Sequence, residues 1–394
     1  MASPLRGQSV VVFSTADWDT LLPTNKHQVA RRFARRGARV LFIETLGTRA
    51  PRLGSGMDLG RIVRRLGRAA AGARRREKRL WTLSPLVRPA WATAPQIAAN
   101  RLAFGVQYGA LASRFPGPIA WVYSPYAVHL LDAVKPSRVV YHLVDDLAAV
   151  PGADRAAIRE AEARLMARAD AIVCTERSLY DRARRIAPEA AHLLPNVADF
   201  AHFSRPGACA DPRLGRLRAL PHPRIVFAGH LANHKVDVEL IDALATRHPQ
   251  WQWVLIGPVW EGEGSAEAFD RLDRHPQITR LGHVDYHDLP AFLHEADVLA
   301  VPYRLNEVTR AVSPLKLFEY LATGRPVVTS PLPSMLPYGG AVGIADGVEP
   351  WSAALAGALE NPHAGTRQRR ALARRHDWEQ QINSFERVLF PDRS

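Results

Sequence analysis

The chain of 394 residues is too long for one hydrophobic core, and its 47% of hydrophobic residues excludes a disordered protein, so we expect two globular domains. The net charge of +14 favours anionic partners such as nucleic acid, an anionic membrane face or phosphorylated substrates, although a preference for Arg codons would give the same balance. The two cysteines are not spaced as in a metal-binding or redox-active pair. The sequence has neither a signal-peptide pattern nor an apolar run long enough to span a membrane, so it predicts a cytoplasmic protein.

The first elements follow a β-α-β order. Residues 9–13, SVVVF, form a short apolar run that is typical of a buried parallel strand. A helix is predicted over residues 26–38, with Gly37 as its stop, and residues 39–45, RVLFIET, form the next buried strand. This alternation indicates a doubly wound α/β domain.

A basic stretch follows at residues 61–79, which contain nine Lys or Arg residues and one acid. Its apolar residues, from Ile62 to Ala73, recur at helical spacing, so the pattern predicts a basic amphipathic helix. Such a helix can lie on an anionic bilayer. The alternative is a solvated basic helix or loop, which Gly67 and Gly72 favour.

The βα rhythm continues through strands at 118–124, 138–144 and 169–175, with a helix at 154–168. Residues 192–206 are interrupted by Pro, Asn and Asp and resemble a linker. A second series of alternating strands and helices begins after it. The sequence therefore predicts an N-terminal domain over 1–205, a second domain over 206–375, and a C-terminal helix at 376–394 that packs back on the first domain.

Residues 312–328, VSPLKLFEYLATGRPVV, place two opposite charges in an apolar segment. We expect a helix with Ser313 as N-cap and a stop at Gly324, on which Lys316 and Glu319 share one side. A helix N-terminus attracts anions, so Lys316 and the helix tip suit a diphosphate, and Glu319 suits a ribose diol. The alternative is a local ion pair on an exposed helix face.

A second candidate is the segment 226–241, VFAGHLANHKVDVELI, which reads as a strand, a glycine, a polar loop and a helix. Gly229 would let a ligand approach the backbone, and His230 and Lys235 would meet phosphates. An ordinary strand-to-helix turn would have the same pattern.

These motifs resemble the GT-B glycosyltransferases of the large family 4. SPLKLFEYLATGRPVV resembles the segment that binds the donor nucleotide in that family, and GHLANHKVD resembles its Gly-Arg-Leu…Lys loop, with His230 in place of the Arg. The N-terminal TADWDTLLPTNKHQ and YHLVDDLAAVPG resemble a bacterial subgroup that builds capsules, teichuronic acids and exopolysaccharides. The resemblance implies an α/β fold of the GT-B type, with two Rossmann-like doubly wound domains facing a cleft.

The resemblance also implies the roles of individual residues. The N-terminal domain would bind the acceptor, and the C-terminal domain would bind the nucleotide-sugar donor, with the base near Val284. The expected donor-binding residues are Gly229, His230, Lys235, Val284, Ser313, Leu315, Lys316 and Glu319.

One departure from the family concerns its pair of acids eight residues apart. Glu319 matches the second acid, but Ala311 occupies the first position, and Asn306 and Glu307 are out of register. Because the first acid lies by the sugar in the family, its absence leaves the retaining mechanism open and directs attention to acids in the N-terminal half.

Those acids follow a predicted strand, at the edge of the sheet where α/β proteins bind ligands. The resemblance makes Asp145 or Asp146 the base that deprotonates the acceptor, with His142 as a further candidate. One Asp would then serve only as a helix cap. Asp17 and His27 are expected either to line the acceptor cleft or to cap the first helix.

The leading hypothesis is a metal-independent glycosyltransferase without a cofactor, which transfers a sugar from a nucleotide diphosphate to a glycan or lipid-linked acceptor in cell-envelope or extracellular polysaccharide biosynthesis. We expect it to be peripheral at the inner face of the plasma membrane through residues 61–79. The alternatives are a sugar-nucleotide epimerase of the same fold, a donor-binding protein without catalysis, and a protein that binds nucleic acid or another anionic surface. Residues 61–79 contain no aromatic residue, which disfavours nucleic acid.

Overall fold

The computed structural model describes residues 3–20, 23–46, 67–69, 72–88, 90–150, 152–259 and 264–391. The chain divides into two compact units, one formed by Met1–Leu194 with Ile382–Ser394 and the other by Pro195–Gln381. Each unit contains one sheet of mainly parallel strands.

The first unit is built on an eight-stranded sheet. Its strands are β1 (Ser9–Phe13), β2 (Arg39–Ile43), β3 (Arg74–Glu77), β4 (Leu80–Leu83), β5 (Ile119–Val122), β6 (Arg138–Leu143), β7 (Ala171–Cys174) and β8 (Ala191–Leu193). They lie in the order β3-β4-β2-β1-β5-β6-β7-β8, and every pair except β3 with β4 is parallel. Its helices are α1 (Asn25–Arg35), α2 (Ala94–Gly109), α3 (Leu131–Val134), α4 (Arg155–Arg168) and α5 (Arg177–Ile186).

The second unit contains a six-stranded parallel sheet. Its strands are β9 (Arg224–Ala228), β10 (Gln252–Ile256), β11 (Ile278–Gly282), β12 (Val298–Val301), β13 (Val327–Thr329) and β14 (Gly343–Ile344). The helices are α6 (Phe200–Phe203), α7 (Arg213–Ala219), α8 (Val238–Arg247), α9 (Ser265–Asp270), α10 (Leu289–His294), α11 (Glu307–Arg310), α12 (Lys316–Thr323), α13 (Val348–Glu360), α14 (Thr366–Arg375) and α15 (Trp378–Leu389).

The strand order of the second sheet is β11-β10-β9-β12-β13-β14. Numbered within the unit, this is the doubly wound order 3-2-1-4-5-6, in which ligands bind where the order reverses, here between β9 and β12. Strand β9 is buried along its whole length, as expected for a strand covered by helices on both faces. The first unit has the corresponding reversal between β1 and β5.

The predicted basic helix over 61–79 is wrong at its C-terminal end. Arg74–Glu77 form the edge strand β3, which pairs antiparallel with β4, and Arg76 donates hydrogen bonds to Asp19 at 3.0 and 2.7 Å. The hydrogen bonds of β3 to β4 and of Arg76 to Asp19 thus favour a strand where the sequence pattern predicted a helix. Residues 61–66, 70 and 71 lie outside the described part of the chain.

The predicted linker at 192–206 contains regular structure. Its first residues belong to the edge strand β8, and Phe200–Phe203 form α6, where the Asp199 side chain accepts a hydrogen bond from the His202 N–H. An N-terminal Asp cap can start so short a helix. The two units meet along the chain between Leu194 and Pro195.

The last helix, α15, contributes residues from Ile382 onward to the first unit. Phe385 lies 4.9 Å from the ring of Trp121, and Arg36 donates a hydrogen bond of 2.9 Å to Asn383. Among the described residues, no helix is long and apolar enough to cross a membrane.

Candidate functional site

The candidate donor site begins where β9 ends. Gly229 follows the strand with a φ of +153°, a conformation that side-chain-bearing residues rarely adopt. The Lys316 ammonium nitrogen lies 2.9 Å from the point where a Cβ atom on Gly229 would stand. The fold therefore brings two of the predicted residues, 87 positions apart in sequence, into direct contact.

Two aromatic rings hold the Lys316 side chain. Its Nζ donates a hydrogen bond of 2.7 Å to the Tyr303 hydroxyl and lies 5.0 Å from the Tyr303 ring centre. The Phe227 ring centre is 5.2 Å away. A cation over two rings keeps its charge while its position is restricted.

Helix α12 carries Lys316 and packs its apolar side on the sheet, because Leu317, Phe318, Tyr320 and Leu321 are buried. The Tyr320 hydroxyl accepts a hydrogen bond of 2.7 Å from the Ala228 N–H, which ties the helix to the last residue of β9. Gly324 ends the helix with a φ of +83°, as predicted from the sequence.

The start of α12 differs from the prediction. The N-cap is Leu315 rather than Ser313, and no side chain caps the helix. Ser313 is buried, and its carbonyl oxygen accepts a hydrogen bond of 2.6 Å from the Asn196 side chain. The backbone before the helix is thereby used in a tertiary contact, and the helix begins two residues later.

Glu319 lies one turn after Lys316 and accepts no hydrogen bond within the described chain. Burial raises the pKa of its carboxyl from the usual 4.5 to about 7, although the Lys316 charge acts in the opposite direction. A carboxylate held in protein without a hydrogen-bond donor is suited to accept hydroxyl groups from a ligand.

Three other basic side chains lie near His230. Burial lowers the pKa of His230, and the charges of Lys235, Lys316 and His283 lower it further, so these four side chains share one region. Lys235 is held there because its carbonyl accepts a hydrogen bond of 2.8 Å from the Arg304 N–H. Val284 is buried next to His283. Within the described residues, no group of three or more His, Cys, Asp or Glu is arranged to hold a metal ion.

In the first unit, the predicted acids follow β6 and have different surroundings. Asp146 accepts hydrogen bonds from Arg159 at 2.6 Å and Arg182 at 2.9 Å and caps the turn at Ala148. Burial alone would raise the pKa of Asp146, but the hydrogen bond from Arg159 and the charge of Arg182 outweigh it and lower the pKa. Asp145 is 40% exposed and lies 3.9 Å from the Lys26 ammonium.

His142 lies inside the first unit, 2% exposed. Its Nδ1 is 3.2 Å from the Trp121 indole nitrogen and 3.0 Å from the Tyr123 hydroxyl. Burial lowers the pKa of His142 to about 3. These surroundings favour Asp145, which reaches solvent, over His142 and Asp146 as the base.

Asp17 and His27 meet at the start of α1. The Thr24 N–H donates a hydrogen bond to His27 Nδ1 at 3.2 Å, and His27 Nε2 lies 3.0 Å from the Asp17 carbonyl. Burial lowers the pKa of His27 to about 4. The Asp17 carboxylate pairs with Arg68 at 3.1 Å. Of the two expected roles, these contacts favour the capping role for His27.

Comparison with known proteins agrees with this arrangement. The family model described as glycosyl transferases group 1 matches residues 222–361, which contain the whole donor site. Residues 222–361 are thus similar in sequence to the group 1 glycosyltransferases. TuaH of Bacillus subtilis (strain 168), named as a teichuronic acid biosynthesis glycosyltransferase, is 31% identical over 183 residues, which are 46% of this chain and 45% of TuaH.

Solved structures show that the fold is GT-B. Sucrose-phosphate synthase from Thermosynechococcus elongatus matches with a TM-score of 0.70 at 15% identity, over 98% of this chain and 99% of the other. Anabaena HepE, solved in complex with UDP-glucose, matches with a TM-score of 0.67 at 14% identity, over 97% and 99% of the two chains. The predicted α/β fold with two Rossmann-like units is thus confirmed.

Two residues near the candidate donor site were given no role in the sequence analysis. Tyr303 follows β12 and accepts the Lys316 hydrogen bond, and Asn306 donates a hydrogen bond of 2.7 Å to the His234 carbonyl. Their position just after a strand end was a usable signal, because ligands of α/β proteins bind there. Ala311, at the position of the missing acid, is buried and ends helix α11.

Proposed function

We propose that this protein is a glycosyltransferase that moves a sugar from a nucleotide diphosphate to an acceptor hydroxyl. The observation that carries the proposal is the contact between the Lys316 ammonium and the Gly229 backbone, with the Glu319 carboxyl one helical turn away. A cation, a glycine and an acid lie together at the strand-order reversal of the second unit.

In this proposal, Lys316 binds the donor diphosphate. As the bond from the sugar to the diphosphate breaks, negative charge grows on the leaving oxygen. The ammonium, already positioned by Tyr303 and Phe227, stabilises that charge without rearrangement. His230 and Lys235 add hydrogen-bond donors around the same anion, and Glu319 in its ionised form accepts the two ribose hydroxyls.

We assign the base to Asp145. Its carboxylate takes the proton of the acceptor hydroxyl as the oxygen attacks the sugar, while Asp146 remains bound to Arg159 and Arg182. Asp145 qualifies because it reaches solvent and faces Lys26 at 3.9 Å. The acceptor-binding role of the first unit, including Asp17, belongs to this proposal.

For the biological acceptor, we propose a glycan or lipid-linked intermediate of cell-envelope or extracellular polysaccharide synthesis. The similarity to TuaH, which covers about half of each chain, supports it. The HepE complex with UDP-glucose makes UDP-sugars the first donors to test. Contact of residues 61–79 with an anionic membrane face would bring the protein to such an acceptor, with Arg74 and Arg75 exposed at the edge strand.

The experiment is a donor screen followed by mass spectrometry of both products. Wild-type protein, UDP-glucose and other nucleotide sugars are incubated with a membrane fraction and with soluble glycans. A glycosyltransferase adds one sugar mass to an acceptor and releases nucleoside diphosphate. An isomerised donor with unchanged acceptors would instead identify an epimerase, and binding of donor without either product would leave a donor-binding protein.

A further inference from the structure

Helix α2 of the first unit presents an apolar side to solvent. Its inward side is formed by Asn100, Phe104 and Tyr108, which are buried. On the opposite side, Leu102 is 72% exposed and Val106, one turn later, is 71% exposed. Exposure of this degree is unusual for two large apolar side chains on neighbouring turns of one helix.

The apolar stripe runs along the whole helix. At helical spacing, the outward positions are Pro95, Ala98, Ala99, Leu102 and Val106, and all five are exposed. The two glutamines and the single arginine of the helix lie to the sides of this stripe. The pattern is that of an amphipathic helix whose second apolar side has no covering element in the described chain.

The segment before α2 adds a further exposed apolar side chain at the flank of the helix. The Leu86 N–H donates a hydrogen bond of 2.7 Å to the Gln107 side chain, and Leu86 is 47% exposed. The Asn100 side chain bonds both to the Arg88 N–H at 2.8 Å and to the Arg88 carbonyl at 2.9 Å. Leu86 and Arg88 are thereby fixed alongside the helix.

The sequence around the stripe is poor in acids. Residues 78–131 contain no Asp or Glu, whereas the whole chain has 38. Arg88 and Arg101 are exposed, and neither guanidinium forms an ion pair with a described residue. Two arginines without an ion pair to a described residue therefore lie beside an apolar stripe. The next acid in the sequence, Asp132 of α3, pairs with Arg168 at 2.8 Å.

We propose that this surface, which we call the α2 patch (Leu86, Arg88, Arg101, Leu102 and Val106), docks on an anionic lipid bilayer. Apolar side chains would enter the boundary between headgroups and acyl chains, and the arginines would meet lipid phosphates. A second copy of this chain fits less well, because a two-fold contact would place arginines against arginines without acids. The inference is independent of the proposed function and concerns residues other than 61–79.

The test is sedimentation of the full chain with vesicles of phosphatidylcholine alone and with 30 mol% phosphatidylglycerol added (roughly the anionic content that gives a strong surface potential). We expect binding to the anionic vesicles, reduced about tenfold by Leu102→Ser with Val106→Ser and by a similar factor by Arg88→Gln with Arg101→Gln. High salt should weaken binding of the wild type more than that of the arginine variant, which keeps the cations of residues 61–79.

The matched control is Ile186→Ser, which changes an apolar side chain 45% exposed at the end of α5 in the same unit. It should leave vesicle binding unchanged. Unchanged binding of the Leu102/Val106 variant, with retained thermal stability, would overturn the proposal. A second result would also overturn the proposal. If sedimentation equilibrium shows that the wild type is a dimer and that the same two substitutions convert it to monomers, the patch is an interface between copies.

Discussion

The Lys316 ammonium occupies the space beside Gly229 that any side chain at position 229 would need, with 2.9 Å between Nζ and the position of a Cβ atom. The cation and the strand-end backbone therefore form one surface. A diphosphate placed there would meet the positive charge and could approach the backbone closely, because Gly229 has no side chain.

Gly229→Ala should remove this surface. The added methyl displaces Lys316, and the φ of +153° becomes strained, so we expect a loss of about 1–3 kcal/mol in the free energy of unfolding and at least tenfold weaker nucleotide binding. Urea unfolding and calorimetric titration measure the two effects.

The matched control is Gly215→Ala in helix α7, where a Cβ atom would meet nothing within 4 Å. Because alanine favours a helix interior over glycine, this variant should be stabilised by about 0.5–1 kcal/mol with unchanged nucleotide affinity. Wild-type nucleotide affinity in Gly229→Ala would refute the role given to the glycine.

Tyr303→Phe tests how Lys316 is positioned. The variant keeps the aromatic ring but loses the hydroxyl that accepts the 2.7 Å hydrogen bond from Lys316. We expect nucleoside diphosphate affinity to fall about three- to tenfold, since the charge remains and only its position is freed. Tyr338→Phe, a matched change elsewhere in the second unit, should not alter affinity. Equal losses in both variants would point to a general effect on folding.

Glu319→Gln should change the pH dependence of both stability and binding. The folded-state pKa of Glu319 is about 7 against the usual 4.5, so the folded chain holds a proton that the unfolded chain releases. The free energy of unfolding therefore falls as the pH rises from 4.5 to 7, and the glutamine variant should gain stability over wild type across this interval. Urea unfolding at pH 5 and pH 8 gives the comparison.

Nucleotide binding should have the opposite trend in the wild type. The ionised carboxylate accepts the ribose hydroxyls, so affinity should rise as the pH passes 7, whereas Glu319→Gln should bind weakly at every pH. Glu267→Gln, an exposed glutamate in α9, serves as the control and should behave as the wild type. Identical pH profiles for Glu319→Gln and wild type would remove Glu319 from the site.

Asp145→Asn and Asp146→Asn should separate catalysis from structure. Without its base, the first variant should lose about 10²–10⁴-fold in kcat with its thermal stability and donor affinity intact. The second removes one of the two acids that Arg159 and Arg182 contact, the other being Glu162, and should lose about 1–2 kcal/mol of stability. Full turnover in Asp145→Asn would place the base elsewhere.

The contacts of Asp146 also predict that the stability of the fold decreases in acid. Because its folded-state pKa lies below the usual 3.8, its pairing stabilises the fold above that pH, and this contribution is lost as the pH falls through the folded-state value. When urea unfolding is repeated at decreasing pH, the free energies of unfolding of the wild type and of Asp146→Asn should therefore become equal at the lowest pH values. A constant difference down to pH 2 would contradict the assignment.

The elements that carry the candidate donor-site residues were predictable because they follow local rules. A glycine after a buried strand, a lysine in the first turn of a helix and a closing Gly324 each have a local signal, and the doubly wound order then brings them together. The position of Tyr303 after β12 was a signal that it lies near the site, but its hydrogen bond to Lys316 was not predictable, since it depends on two segments 13 residues apart packing side by side.

The errors also have physical causes. The helix predicted from the spacing of Ile62 to Ala73 was extended over Arg74–Glu77. These residues form an edge strand instead, because pairing with β4 supplies hydrogen bonds that the local sequence does not indicate. Asp145 and Asp146 are identical in type, and only the approach of Arg159 and Arg182 from later helices distinguishes them. The prediction that Ser313 is the N-cap of α12 was wrong, because the side-chain amide of the distant Asn196 donates a hydrogen bond to the Ser313 carbonyl.

The most direct test of the central claim is a calorimetric titration of wild type and Lys316→Met with UDP, GDP and dTDP. We predict that one nucleotide binds the wild type and that Lys316→Met binds it about 10–100-fold more weakly with unchanged stability. Equal affinity of the two proteins for that nucleotide, or no binding of any nucleotide to folded wild type, would contradict a donor site at Lys316.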